Sequence, residues 1–196
     1  MDTLSISRSD PLTPEFLNSF SIQIFEPFSD FLQGSEAEKN FSISLLDVVR
    51  FSGHACLAVT GAFLVARAAI KSLFPETGIC IRGNVQIDLA GLATSGATGP
   101  VANVFGFITG AWAQSGFGGL QGRFARRDLL RFGSANAPTR GYRFTRLDTG
   151  QSIVVSYHPD RINMEVDPTW DFQTKWRHNV RSILENSEAE IGRAHV

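Results

Sequence analysis

Ser52-Gly53-His54-Ala55-Cys56 runs directly into Leu57-Ala58-Val59-Thr60-Gly61-Ala62-Phe63-Leu64-Val65-Ala66-Arg67-Ala68-Ala69-Ile70. From Ala55 to Ile70 the chain is apolar on nearly every side of a helical wheel. That pattern predicts a central buried helix over residues 55–71 and not a surface one. The run falls short of the roughly 20 apolar residues a bilayer span needs, and Arg67 interrupts it. Arg67 is the awkward residue of such a helix and should reach an edge or an acidic partner.

Downstream, Gly78 closes the helical segment, and Ile79 to Leu89 alternates loosely enough to predict one strand. Gly91 to Gly99 is a loop of small residues. Pro100 then suits the first turn of a helix, with Val101, Val104, Phe105 and Ile108 on one face. Gln114 to Gly122 is a second glycine-rich loop, and Leu129 to Phe132 a short strand. Tyr142–Leu147 and Gln151–Tyr157 flank Asp148-Thr149-Gly150, which predicts a hairpin closed by a left-handed glycine. A C-terminal helix follows, capped by Asp167, opened by Pro168, and carrying Trp176, Val180, Ile183 and Leu184 as its apolar stripe. Upstream, the Phe-rich residues 1–40 suggest a short helix and then irregular chain laid over an apolar surface, with Ser35 to Asn40 an exposed loop.

A chain of 196 residues with 43% hydrophobic content fits one domain with a real core. Its net charge of −1 excludes a general polyanion-binding role, so no nucleic-acid partner is expected. Residues 89–122 carry no charge, but Gly, Ser, Thr and Pro100 break the run, which reads as packed backbone and not as a membrane helix. With two cysteines and no basic-then-apolar leader at Met1 to Asp10, the expected compartment is the reducing cytoplasm.

His54 and Cys56 are both good ligands for zinc and other borderline metals. Two residues apart on a regular helix they would diverge, so they converge only if the backbone there is still non-helical. Ser52 and Gly53 favour a helix cap, which would put the pair at the mouth of the buried helix, where a thiolate is also stabilised. The plainer alternative is a capped helix start with a packed thiol. A further ligand has to come from elsewhere. His158, at a strand end before Pro159, is the best placed. His178 and His195 read as solvated and Cys80 as a small buried hydrophobe. Seven arginines between Arg123 and Arg146 are opposed only by Asp128. They are either a solvated face paired with the acidic N-terminal part or, at Arg126 or Arg127, a contact for a small anion beside glycine-rich backbone.

Phe51-Ser52-Gly53-His54-Ala55-Cys56 with the following apolar helix resembles the Gly-His-x-Cys-Pro-Gly opening of the FmdE-like family, named for a component of formylmethanofuran dehydrogenase. Gly96-Ala97-Thr98-Gly99 is similar to that family's Gly-Cys-Thr-x-Gly loop. Gly141-Tyr142-Arg143-Phe144 with Leu147-Asp148-Thr149-Gly150-Gln151 is similar to its closing hairpin. The resemblance implies an α+β fold with an α-β-α-β-β-β core and mixed sheet over residues 47–158. Residues 1–46 would be a covering segment and 159–196 a helical extension, all within one domain. It further implies a homodimer and a zinc ion near the His-x-Cys pair. Some relatives accompany tungsten or molybdenum enzymes of one-carbon metabolism. This sequence departs from the family at Leu57, where the family has Pro, and at Ala97, where it has Cys. Of the two cysteines in the family's pattern, this sequence keeps only Cys56.

The expectation is a metal-binding protein with an open-sided site that handles a small, anionic molecule. His54, Cys56 and His158 are the candidate ligands, His158 alternatively a general base. Arg127 would orient the substrate, and Gly53, Gly99 and Asn103 would contact a cofactor. Haem iron in the same Phe-rich surroundings is the alternative to zinc. A non-catalytic dimeric accessory protein is the third reading. Contact between copies is expected through Val101–Gly119 or the Phe-rich N-terminal segment.

Overall fold

The computed structural model describes residues 11–34, 38–158, 160 and 167–186, together with the backbone of 191–195. Helix α4 (Leu57–Leu73) is its axis, and most of its 17 residues are buried. Three further helices, α3 (Leu45–Ser52), α5 (Thr98–Thr109) and α6 (Phe172–Glu185), pack against it, as does the sheet behind it. Arg67 is exposed on α4 and reaches an edge, with its guanidinium 6.0 Å from the Phe20 ring.

A five-stranded mixed sheet has the order β5-β4-β6-β7-β8. Its strands are β4 (Val85–Asp88), β5 (Leu130–Arg131), β6 (Tyr142–Arg146), β7 (Ser152–Tyr157) and β8 (Ile191–His195). Only β4 and β5 run parallel. The β6–β7 hairpin turns where expected, with Gly150 at φ 74° and its amide bonded to Arg146 O at 2.8 Å. The α+β class with mixed sheets is as expected; the expected α-β-α-β-β-β succession is met by α4, β4, α5, β5, β6 and β7, with α3 and β3 (Ile79–Ile81) added to it.

Four expectations are corrected. The chain before α3 is not irregular. It forms α1 (Pro14–Asn18), β1 (Ser21–Phe25), α2 (Pro27–Gln33) and β2 (Asn40–Ser44), and β1 joins β2 and β3 (Ile79–Ile81) in a three-stranded sheet of order β2-β1-β3. Of the expected Ser35–Asn40 loop, residues 35–37 lie outside the described part and Asn40 begins β2. Ile79–Leu89 is two strands. β3 (Ile79–Ile81) pairs with β1 and β4 with β6, because the chain turns at Gly83, φ 80°. There the Arg126 guanidinium fills the space a Cβ would need: its Nη1 is 2.7 Å from an ideal Cβ. The C-terminal helix is capped by Asp171, while Asp167 caps the turn before it. His195 is not in a frayed tail. It pairs with Ile153 as the end of β8.

One core runs from Leu17 through α4 and the sheet to Leu184. The segments on either side of 47–158 thus share its interior.

The two sheets are tied by charge as well as by packing. Glu26, at the N-cap of α2, receives Arg126 Nη2 at 2.5 Å and Arg82 Nη1 at 3.5 Å. Arg126 is 8% exposed, and burial lowers its pKa against the opposing pull of Glu26. This arginine does pair with the acidic N-terminal part, but inside the protein and not on a solvated face.

Candidate functional site

The His-x-Cys segment is set by two helix ends. A capping box between Ser44 and Asp47 starts α3, and Gly53 ends it in the left-handed region at φ 80°. Ser52 and Gly53 therefore close one helix and do not open the next. The N-cap of α4 is Cys56 itself, extended at φ −123°, with its sulfur accepting from Val59 N–H at 3.4 Å. Between the ends, Trp176 Nε1 donates to Ala55 O at 2.7 Å, and the Tyr157 hydroxyl donates to Leu57 O at 3.2 Å. Elements more than 90 residues away thus hold the segment in place. Tyr157 can lie against α4 only because residue 61 is glycine: an ideal Cβ there would meet the ring at 2.4 Å.

Beside this segment lies an apolar cavity of about 300 Å³, lined by Leu57, Ala58, Gly61 and Val65 of α4, Ala97 and Val101 of α5, and the two hairpin tyrosines. The first turns of two packed helices meet there. Ala97 is the N-cap of α5 but has no side-chain hydrogen bond to cap it. The two tyrosines carry the hydroxyl groups of the lining, and burial raises the pKa of Tyr142. Leu57 and Ala97, the two departures from the resembled family, are both on its wall.

The expected site residues separate. His54 is exposed, its Nδ1 3.0 Å from Ser52 O. His158 is half-buried, its Nε2 2.8 Å from Ser156 Oγ. Among the described residues no three His, Cys, Asp or Glu come together as a group that could hold a metal ion. His54, Cys56 and His158 therefore do not form the three-ligand site expected of them. Arg127 is exposed, bonds Gly116 O at 3.2 Å, and is not on the wall of the α4–α5 cavity. Gly53 is spent on the α3 terminus. Gly99 and Asn103 do come together, but at a second cavity across α5.

Cys80 is fully buried, and burial pushes its thiol up to about 12, as befits a packed hydrophobe. His178 is the reverse of a solvated residue. It is 2% exposed, its ring centroid lies 5.1 Å from that of Trp170, and neither ring nitrogen has a hydrogen-bond partner among the described residues.

The tyrosines and Trp176 were not among the expected site residues. The only sequence signal was position: Tyr142 and Tyr157 sit at the open ends of the two hairpin strands, on the side away from the turn.

Comparison with protein-family models and with curated proteins gives no match. No helix among the described residues is long and apolar enough to cross a membrane.

Proposed function

We propose that this protein binds a small anionic molecule with an apolar body in the α4–α5 cavity. The anionic group would lie over the N-terminal turns of both helices and the body against Tyr142 and Tyr157. The observation that carries this reading is that Leu57 and Ala58, at the start of a 17-residue helix, share one apolar cavity with Ala97, the uncapped start of a 12-residue one. The positive end of each helix dipole favours negative charge; Val59 N–H of α4 is taken by Cys56, Thr98 N–H of α5 by Ser95 O, and Pro100 has none, so Leu57, Ala58 and Gly99 carry the remaining first-turn N–H groups. The resemblance to the FmdE-like family supports the location, since its Cys and Pro positions fall on this wall. Ala97 and Leu57 there favour binding over two-thiol chemistry.

A resident zinc ion with three protein ligands does not fit this donor set, and haem iron, its alternative, would find the same two residues, His54 and Cys56. No step is assigned to either metal. The test is a titration with benzoate followed through the ring resonances of Tyr142 and Tyr157. Both should shift saturably. Shifts confined to other residues would end the proposal.

A homodimer is the associated reading, through parts of the two segments the sequence suggests: Phe117 of Val101–Gly119 and Phe31 of the Phe-rich N-terminal segment. Val101, Val104, Phe105 and Ile108 are used up in the chain's own core. Among the exposed large hydrophobic residues are Phe31, Leu32, Phe117 and Leu120. Phe31 and Phe117 are joined through Phe28 and Phe124, with Arg123 over Phe124 at 4.7 Å. Contiguous patches of this kind mark contact surfaces.

A further inference from the structure

Across α5 from the first cavity lies a second, of about 320 Å³, lined by Gly99, Asn103, Trp112, Ser115, Leu130 and Phe132 among others. At 100° per residue, positions 99, 102 and 103 face away from 97 and 101, so the two cavities flank one helix without sharing a wall. The second opens into a groove that adds Gln114, Asp128 and Arg131. Its wall is built with care for close approach. A Cβ on Gly99 would sit 2.5 Å from Ala93 O. Asp128, on the groove wall, is a non-glycine residue at positive φ (60°). Such strain costs stability and tends to gather at binding sites.

The side-chain chemistry is specific. Trp112 and Phe132 put two aromatic side chains on the wall, the Trp112 ring packed beside Gly106 of α5. Asn103, Gln114 and Ser115 carry hydrogen-bonding groups, and none of the three makes a side-chain hydrogen bond among the described residues. A carboxamide pairs in bidentate fashion with the amino group and N7 of adenine, whereas guanine is read by Arg or Lys. Stacking on an indole is strong for any nucleobase. We propose that this cavity binds the adenine ring of a free nucleoside or nucleotide, with Trp112 as its platform and the Asn103 carboxamide reading its edge. Adenine binding here is independent of anion binding in the first cavity.

The experiment is isothermal titration of the full chain with adenosine, guanosine, cytidine and uridine in turn. Adenosine should bind best. Asn103→Ala, an exposed position that spares the core, should weaken it about tenfold. Trp112→Leu should weaken all four nucleosides together, with circular dichroism confirming the fold. Ala97→Phe, which plugs the other cavity, should leave adenosine binding unchanged. No binding of any nucleoside at millimolar concentration, preference for guanosine, or full adenosine affinity in Asn103→Ala would each overturn the assignment. Failure here with intact benzoate binding would leave the first cavity's role standing.

Discussion

Replacing Gly61 by Ala tests whether Tyr157 shapes the wall of the first cavity. In an open helix interior, Gly→Ala stabilises by about 1 kcal/mol, because the glycine loses more backbone entropy on folding. At residue 61 the added methyl would meet Tyr157 Cε1 at 2.4 Å and Cζ at 2.6 Å. The ring is the movable end of a side chain, so it yields and α4 does not. Yielding stretches the 3.2 Å bond from the Tyr157 hydroxyl to Leu57 O and unpacks the ring from the helix. Overpacking of this kind costs about 1–3 kcal/mol. The net expectation for Gly61→Ala is a loss of about 1 kcal/mol, or roughly 2–4 °C in Tm for a chain of this size. In a Tyr157→Ala background the same change should instead stabilise by about 1 kcal/mol, a coupling of about 2 kcal/mol. Urea unfolding of the four proteins measures it. If Gly61→Ala stabilises the wild type as much as the Tyr157→Ala variant, the ring does not lean on α4 and the cavity wall is wrongly drawn.

Three other outcomes follow from separate parts of the molecule. Arg126→Met leaves Glu26 with the longer contact to Arg82 as its only ion pair beside its capping bond from Phe28 N–H, so urea unfolding should show a loss of about 3 kcal/mol, and Glu26→Gln in the same chain should recover part of it. Arg146 holds the Asp148 carboxyl below its usual value, chiefly by hydrogen bonding, and Glu76 is lowered by its own backbone and then by Arg146. Carboxyls depressed by folding stabilise above their unfolded pKa values, and that contribution fades as pH falls through the folded ones. Below about pH 4 the wild type should therefore lose stability more steeply than Arg146→Met, as thermal melts across pH would show. Light scattering at micromolar concentration should give a dimer mass that Phe31→Glu with Phe117→Glu converts to the monomer. An unchanged mass would exclude that patch.

The parts legible in the sequence are those whose partners are local or whose environment is uniform. α4 is apolar all round because it is enclosed all round, and the β6–β7 hairpin is written in Asp148-Thr149-Gly150. What escaped depends on distant partners. Ser21-Ile22-Gln23-Ile24-Phe25 does alternate, yet its strand role is fixed by β2 and β3, the latter more than 50 residues on. Ile79 to Leu89 looks continuous, and only Arg126, threaded between Gly83 and Gly110, explains why it divides. The His54–Cys56 pair was visible as chemistry, but Gly53 reads equally well as a helix end or a helix start. The structure uses it as an end, and that moves the cap to Cys56. His178 was misplaced because an amphipathic helix does not reveal which neighbour covers it.

The most direct measurement of the central claim compares benzoate with benzamide by calorimetry on the untagged wild type and on Ala97→Phe. The two ligands share shape and differ in charge. Two helix N-termini acting on one partly buried anion are worth about 1–3 kcal/mol, so benzoate should bind roughly 5- to 150-fold more tightly. Ala97→Phe should abolish binding of both while leaving the urea midpoint near that of the wild type. Equal affinity for the two ligands, or undiminished benzoate binding to Ala97→Phe, would contradict the account.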